Sequence, residues 1–280
     1  MRASVDLEPL DLGATFAMQR FGLYDPTASV APRRIAKALS TESGPCVVAM
    51  ERTASGVALT VEGGDERAVM TDLESALSAD DGRDAFSPAH PVLARLHRKN
   101  PGLRLVRVPW RFDVACSVVL QQRVTVREAW QQWRRIAARY GERAPSRFGE
   151  LRAFPSVERV ARMESWRFEE LGVDPKRTRA LIGLARDALR RGTFAWTDVP
   201  RVRKHLRAVR GIGPWTTEMT LGYGWGDPDA LPLADLHLPH VVAWALAREP
   251  RGSDERMQEL LEPTRPHRFR AVRLILTAAR

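Results

Sequence analysis

Cysteine is scarce in this sequence, and long apolar runs are missing. The 280 residues include 2 cysteines, Cys46 and Cys116, which lie far apart and form no CxxC pair. The sequence therefore predicts neither a disulfide scaffold nor a zinc site, and two thiolates are too few for an iron–sulfur cluster with four cysteine ligands. No apolar run approaches the roughly 20 residues of a membrane-spanning helix. Because no basic-then-apolar leader opens the chain, we expect a cytoplasmic protein.

Positive charge is abundant but unevenly placed. Residues 1–100 contain 11 Lys and Arg against 14 Asp and Glu, whereas residues 101–280 contain 33 against 20. The formal net charge of +10 therefore arises from the second segment. An excess of this kind predicts contact with a polyanion such as nucleic acid. The alternative is an arginine-rich proteome whose basic helices are simply solvated.

Residues 1–100 have the pattern of an α+β unit. Strand-like runs cover residues 3–23, 46–50 and 57–61, and helical spacing covers 70–77 and 90–99. A turn at Ser55-Gly56 predicts that the second and third strands form a hairpin. Residues 32–39 are interpreted as a turn or short helix. No catalytic signature occurs in this part of the chain.

From Phe112 onward the pattern is helical throughout. The predicted helices are residues 112–120, 126–140, 156–171, 176–191 and 238–246, and a further helix starts at Asp198-Val199-Pro200. A polar break at Gln121-Gln122-Arg123 separates the first two. By itself this break is consistent with a polar corner between two core helices.

A glycine turn lies between two of the helices in the second half. Leu206 and Val209 keep helical spacing, Gly211-Ile212-Gly213 interrupts it, and Pro214 starts the next helix. Such a turn lets a phosphate approach the free N–H groups at the start of the second helix. A bare GxG is more often an ordinary helix–turn–helix corner, so the motif alone does not decide the function.

The wider context of this turn resembles the helix-hairpin-helix (HhH-GPD) base-excision DNA glycosylase superfamily, in its 3-methyladenine DNA glycosylase II branch. The matching residues are Leu206, Val209, Gly211, Gly213, Trp215 and Thr216 in the hairpin, and Pro232 and Asp235 after it. Further matches are residues 100–105, 119–122, 124–125, 171–172, 176–177, 180–182 and 266–268. The resemblance implies an α+β N-terminal sheet domain, residues 1–100, followed by a mostly α-helical HhH-GPD glycosylase domain, residues 101–280.

The resemblance implies that Asp235 is the catalytic carboxylate. A glycosylase breaks a C1′–N bond while positive charge develops on the sugar, and a carboxylate beneath the sugar stabilises that charge and can orient water. Without the resemblance, Asp235 would be interpreted as the N-terminal cap of the helix over 238–246. Both roles are compatible, because a capping position fixes the carboxylate.

The same resemblance implies a substrate pocket formed by Trp215, Met219, Leu236 and Phe16, of which Phe16 is the weaker candidate. Alkylated purines are cationic and are attracted to aromatic faces. Met219 and Leu236 stand where the best-known member of the branch has tyrosines. The pocket is therefore expected to be wider or more apolar.

Contacts with double-stranded DNA are expected from the polar break and the hairpin. The implied residues are Gln121, Gln122, Arg123, Gly211, Gly213 and Thr216. The break would enter the minor groove and fill the gap left by an extruded nucleotide. Arg123 stands where the family usually has Leu or Gln, so whether Arg123 or Gln122 fills the gap stays open. The resemblance further aligns the backbone carbonyls of Arg207, Val209 and Gly211 with those that hold a monovalent cation, Na⁺ or K⁺.

Trp215 also bears on the reaction type, because bifunctional relatives have a lysine there that forms a Schiff base. We expect a monomeric, monofunctional glycosylase with no AP lyase activity. Its expected substrates are alkylated purines, of the 3-methyladenine and 7-methylguanine type, which it excises by base flipping. It would need no cofactor and no iron–sulfur cluster. The alternatives are a non-catalytic duplex- or damage-binding protein on the same scaffold and a glycosylase for another lesion. Asp235 disfavours the first, because binding alone gains nothing from an anion near phosphates.

Overall fold

The computed structural model describes residues 1–6, 9–16 and 20–278. Its first part is a five-stranded antiparallel sheet in the order β1-β5-β4-β3-β2. The elements of this part are β1 (Arg2–Val5), α1 (Leu12–Phe16), β2 (Ala28–Ala31), β3 (Arg34–Thr41), β4 (Gly44–Arg52), β5 (Val57–Glu62) and α2 (Glu66–Ser78). The predicted hairpin at Ser55-Gly56 is confirmed, because β4 and β5 pair antiparallel. The predicted helix over 70–77 lies within α2.

Two predictions for this part were wrong. The expected strand over 3–23 ends at Val5, and a helix follows because the Asp11 carboxylate accepts the Ala14 N–H at 2.9 Å. Residues 7–8 and 17–19 of that range lie outside the described residues. Residues 32–39, interpreted as a turn or short helix, belong mostly to strand β3. That strand is covered on both faces, so its sequence lacks the alternation that marks a half-buried strand.

The remaining chain is mainly helical. Its helices are α3 (Pro91–Lys99), α4 (Arg111–Leu120), α5 (Val126–Tyr140), α6 (Val157–Arg162), α7 (Ser165–Glu169), α8 (Pro175–Arg191), α9 (Val199–Ala208), α10 (Pro214–Gly224), α11 (Leu238–Ala247), α12 (Asp254–Leu261) and α13 (Arg268–Ala278). The predicted helices agree with these, except that 156–171 is divided into α6 and α7 by extended backbone at Met163 and Glu164. None of the described helices is long and apolar enough to cross a membrane.

The expectation that the chain is helical throughout after Phe112 was wrong at one place. Strands β6 (Glu142–Ala144) and β7 (Leu151–Ala153) form a hairpin that packs against the outer face of the large sheet. Phe148 and Leu151 cover Val47 and Ala49 of β4 there. The sheet needs this cover because β4 carries apolar side chains on both faces. Short strands of three residues have too little pattern to be recognised in the sequence.

The apolar interior consists of two main clusters. The larger one joins the inner face of the sheet to α4, α5, α8 and the α9–α10 pair, with α4 buried along its whole length. The second one joins α3 to α11, α12 and α13. The segment from α10 to α11 crosses from one cluster to the other. It contains Asp235, so the fold places this carboxylate at the junction of the two clusters.

The fold class expected from the sequence is confirmed, namely a sheet domain followed by a mostly helical one. The larger cluster extends across the boundary proposed at residue 100. A buried ion pair also crosses it, since Lys37 Nζ of β3 lies 3.5 Å from a carboxylate oxygen of Asp113 on α4. The sheet therefore supports the helices that carry the candidate site.

Candidate active site and nucleic-acid interface

The hairpin between α9 and α10 presents backbone groups on an exposed turn. Gly211 has φ of +90°, and a Cβ there would lie 3.0 Å from the Cβ of Ala180, so both the conformation and the close packing require glycine. The next glycine, Gly213, is exposed and a Cβ added to it would meet open space. Ile212 between them is buried and anchors the turn in the larger cluster. This arrangement suits close approach of a phosphate to the start of α10.

An ion-pair network that the sequence analysis missed holds the two hairpin helices together. Glu218 of α10 is buried and accepts two hydrogen bonds from Arg203, both 3.0 Å, and one of 2.8 Å from Arg207. Arg203 also contacts Asp227 beyond the end of α10. A single acidic residue inside an otherwise uncharged helix was the available signal, because a carboxylate is rarely buried without a partner.

Asp235 is held by three hydrogen-bond donors. Its Oδ1 accepts the backbone N–H groups of His237 at 2.9 Å and Leu238 at 2.8 Å, and its Oδ2 accepts the indole N–H of Trp215 at 2.7 Å. Leu238 is the first residue of α11, so Asp235 accepts an N–H of the first turn, although the N-cap position predicted for Asp235 is occupied by His237. The preceding residue, Ala234, has φ of +63° and donates its N–H to Asp254 of α12 at 2.7 Å. Contacts on both sides of Asp235 thus fix the orientation of the carboxylate.

The pairing of Trp215 with Asp235 was not predicted. Trp215 packs at the edge of the larger cluster, whereas Leu238, whose N–H Asp235 accepts, belongs to the second cluster. The indole–carboxylate hydrogen bond therefore links the two clusters across the junction. No local sequence pattern signals a contact of this kind, since it depends on how α10 and α11 are packed.

The other pocket candidates have different environments. Met219 is half-buried and lies one turn after Trp215 on the same side of α10. Leu236 follows Asp235 and is 77% exposed. Phe16 is 2% exposed and its ring lies 6.3 Å from that of Trp110 in the core. The structure thus brings Trp215, Met219, Asp235 and Leu236 into one region and places Phe16 in the interior.

The polar break between α4 and α5 contacts the hairpin directly. The Gln122 amide donates to the Gly211 carbonyl oxygen at 3.0 Å and to Thr216 Oγ1 at 2.8 Å. Thr216 is buried, so its hydroxyl supports this contact from inside the protein. Gln121 donates to the Ser117 carbonyl at 3.1 Å, which ties it back to α4. We call residues 121–123 the wedge loop.

Arg123 is the exposed end of the wedge loop. Its φ of +56° is in the left-handed region, which is uncommon for a residue with a side chain. The loop is supported from below, because the buried Arg177 donates to the Leu120 carbonyl at 2.7 Å and to Gln132 at 2.8 Å. The loop therefore holds Arg123 exposed at a position next to Gln122, which contacts the hairpin.

Residues 116–266 match the HhH-GPD superfamily of base excision DNA repair proteins. The chain belongs to the HhH-GPD superfamily. This match includes the wedge loop, the hairpin and Asp235, so the resemblance read from the sequence is confirmed, including its branch.

Sequence relatives carry names from the same branch. The chain is 37% identical over 141 residues to DNA-3-methyladenine glycosylase 2 of Escherichia coli, which covers 49% of each protein. It is 35% identical over 153 residues to a probable bifunctional transcriptional activator/DNA repair enzyme AlkA of Mycobacterium tuberculosis, covering 54% of this chain and 30% of that protein. It is 28% identical over 161 residues to DNA-3-methyladenine glycosylase of Bacillus subtilis, covering 56% and 53%. The chain thus spans about half or less of the length of these relatives.

Solved structures show the same fold along the whole chain. The 3-methyladenine DNA-glycosylase of Archaeoglobus fulgidus superimposes with a TM-score of 0.77 at 17% identity, covering 100% of this chain and 98% of that one. The 8-oxoguanine glycosylase/lyase of Clostridium acetobutylicum gives 0.71 at 15% identity, covering 99% and 98%. At these identities the likeness establishes the fold of this HhH-GPD member and does not establish its substrate.

Proposed function

We propose that this protein is a monofunctional DNA glycosylase that excises alkylated purines, of the 3-methyladenine and 7-methylguanine type, from duplex DNA. The observation that carries the proposal is the Asp235 carboxylate, fixed by three donors beside Trp215 at the junction of the two clusters. Relatives named as DNA-3-methyladenine glycosylases support the substrate class. The hairpin and wedge loop on the same side of the molecule support a DNA ligand.

The reaction would begin with extrusion of the damaged nucleotide from the duplex. Backbone N–H groups near Gly213 would bind a phosphate, and the wedge loop would occupy the gap in the base stack, through Gln122 or Arg123. The extruded sugar would then lie against Asp235, with its base beside Trp215. The positive charge of residues 101–280 supports this contact.

The chemistry requires a carboxylate and little else. A purine alkylated at N3 or N7 is cationic, so the base leaves as a neutral molecule with the electron pair of the C1′–N bond. The positive charge passes to the sugar, where the Asp235 anion stabilises it. Water then bonds to C1′ and releases a proton, and the product is an abasic site in an intact strand.

The residues around Asp235 would supply the recognition. The Trp215 ring offers an aromatic face to a cationic base, while its N–H orients the carboxylate. Met219 and the exposed Leu236 would form an apolar wall. In this proposal Phe16 acts by packing in the core, because it is buried against Trp110.

Strand cleavage is not part of the proposal, because position 215 carries an indole and no amine that could form a Schiff base. Treatment of a reaction mixture with borohydride should therefore trap no covalent protein–DNA adduct. A trapped adduct would show that the enzyme is bifunctional.

A monovalent cation at the hairpin remains part of the proposal. The carbonyls of Arg207, Val209 and Gly211 would hold Na⁺ or K⁺, and oxygen donors suit such hard ions. Two of these carbonyls already accept hydrogen bonds, from Ile212 N–H at 3.0 Å and from Gln122 at 3.0 Å, and each keeps a second lone pair. A bound cation would connect the hairpin to a DNA phosphate. The protein would act as a monomer.

The test is release of free base from duplex DNA that contains 7-methylguanine or 3-methyladenine. The proposal predicts release of at least one base and an alkali-labile abasic site in an uncut strand. DNA binding without release of either base would contradict the alkylpurine assignment. It would instead support a non-catalytic binding protein or, if duplexes with oxidised or deaminated bases are processed, a glycosylase for another lesion.

A further inference from the structure

A short loop of the N-terminal part displays two apolar side chains to solvent. Leu23 is 77% exposed and Tyr24 is 76% exposed, whereas Phe21 and Asp25 on either side are buried. We call residues 23–24 the apolar tip. Leucine and tyrosine scattered on a surface need no explanation, but here two neighbours are held out together by a structured loop.

Four hydrogen bonds to one buried carboxylate fix the base of the loop. Asp25 accepts the Phe21 N–H at 2.9 Å, the Thr27 N–H at 2.9 Å, the Thr27 hydroxyl at 2.7 Å and the Trp133 indole N–H at 3.1 Å. The Phe21 ring packs on Trp133 with a centroid distance of 4.5 Å. The loop is therefore ordered before any partner binds, which lowers the entropic cost of binding.

The loop is seated on helix α5, which begins directly after the wedge loop. Gly22 has φ of +87°, and a Cβ there would lie 3.0 Å from the Trp130 ring, so the loop backbone packs against that ring. Trp130 and Val126 are both partly exposed and lie one turn apart on α5. Trp130 lies in the second turn of α5, which begins three residues after Arg123.

The charge around the apolar tip matches a DNA backbone. Arg127 and Arg134 are exposed on the Trp130 side of α5, and Arg20 donates to the Leu23 carbonyl at 3.2 Å. Two acidic side chains lie in the same part of the protein. Asp25 is buried and accepts the four hydrogen bonds given above, and Glu128 accepts one from the Gln132 amide at 3.1 Å. An apolar pair within a basic surface is typical of a minor-groove contact, where apolar side chains insert beside cationic ones.

We propose that Leu23 and Tyr24 make a second, apolar contact with the bound duplex, to one side of the place where the wedge loop enters it. The inference rests on the proposed function, since it requires the wedge loop to face DNA. It gives the N-terminal part a direct role in binding. It also supplies apolar side chains to an interface whose wedge loop ends in Arg123.

The test compares the double variant Leu23→Ser, Tyr24→Ser with the wild type and with Leu189→Ser. Leu189 is 47% exposed near the end of α8, away from the wedge loop, so it controls for loss of an exposed apolar side chain. Affinity for an undamaged duplex is measured by fluorescence anisotropy at several salt concentrations. We expect about tenfold weaker binding by the double variant, within the range of a lost aromatic–base contact. The slope of log affinity against log salt should not change, because no phosphate contact is lost.

Hydroxyl-radical footprinting locates the contact. The double variant should lose protection of sugars on one side of the lesion and keep protection at the lesion itself. Unchanged affinity and footprint, with an unchanged melting temperature, would overturn the inference while leaving the glycosylase proposal intact. If the wild type bound no duplex, the inference and the glycosylase proposal would both be contradicted. A dimeric wild type that becomes monomeric in the double variant, as seen by sedimentation, would assign the tip to a second copy of the chain and also overturn the inference.

Discussion

The sheet core and the helical junction hold their charged groups in opposite ways. In the core, Lys37 and Asp113 are both buried, and the Lys37 ammonium also bonds to the Thr27 hydroxyl at 2.6 Å. At the junction, Asp235 is half-buried and is held by three N–H donors, and no cationic side chain among the described residues pairs with it. Removing one buried partner leaves an uncompensated charge, whereas removing an oriented surface carboxylate does not. We therefore expect core substitutions to cost stability and junction substitutions to cost activity.

The largest expected effect on stability tests the first half of this contrast. Asp113→Ala should reduce the free energy of unfolding by about 1–3 kcal/mol, because it removes the carboxyl that the buried Lys37 ammonium contacts, an acceptor that remains whether or not the carboxyl is ionised. Urea unfolding measures the loss. Base release at temperatures well below the midpoint should match the wild type. A loss below about 1 kcal/mol would show that Lys37 reaches solvent or another partner.

A substitution at the junction should reduce activity and leave stability almost unchanged. Trp215→Phe keeps an aromatic ring but removes the N–H that bonds to Asp235 at 2.7 Å. A hydrogen bond to a charged group contributes about 1.5–3 kcal/mol, so single-turnover base release should fall roughly 10–100-fold. The melting temperature should change little.

Trp225→Phe is the matched control for that substitution. It removes an indole N–H that bonds to the Trp196 carbonyl at 2.7 Å, away from Asp235. The control should lower stability and leave base release almost unchanged. Equal losses of activity in the two variants would mean that Trp215 acts only through packing.

The pH dependence of stability sharpens the contrast further. Burial raises the pKa of the Asp113 carboxyl from 3.8 to about 6, an effect that the nearby Lys37 ammonium only partly offsets. Between these two values the folded protein binds a proton that the unfolded chain does not. Stability should therefore rise as the pH falls from about 7 towards 4, by about 2–3 kcal/mol from this group. The contribution of Asp113 is isolated by measuring the free energy of unfolding against pH for the wild type and for Asp113→Asn and subtracting the two curves. A difference that does not vary with pH would show that Asp113 does not titrate in this range.

The smallest expected effect concerns the link between the wedge loop and the hairpin. Gln122→Leu removes both amide hydrogen bonds to the hairpin, so the affinity for damaged duplex should fall roughly fivefold, as for about 1 kcal/mol. Gln121→Leu removes only the bond to the Ser117 carbonyl and serves as the control. If both variants weakened binding equally, the link to the hairpin would have no special role.

The sequence predicted what depends on local pattern. The helices at 112–120, 126–140 and 176–191 and the glycine turn at Gly211 all follow from spacing, caps and breakers, and the contact of Asp235 with the start of α11 follows from its place just before that helix. The role of Asp235 as a catalytic carboxylate followed only from resemblance and stays a proposal. An isolated aspartate before a helix has the same local pattern in proteins without any activity.

The sequence did not predict contacts between distant elements. The bond from Trp215 to Asp235 and the bonds from Gln122 to the hairpin arise from the packing of helices, which no local period encodes. Strand β3 was missed because cover on both faces removes the alternation expected of a strand. The β6–β7 hairpin exists because the outer face of the sheet needs an apolar cover, which becomes visible only once the sheet is assembled.

The most direct test of the central claim is the single-turnover rate of base release by Asp235→Asn, measured together with its affinity for the damaged duplex. Asp84→Asn, at an exposed aspartate paired with Arg83, is the matched control. We predict a rate lower by about 10²–10³-fold, typical for loss of a group that stabilises a transition-state charge. The affinity and melting temperature should stay close to those of the wild type, and the control should be unaffected. Base release by Asp235→Asn at the wild-type rate would contradict the account.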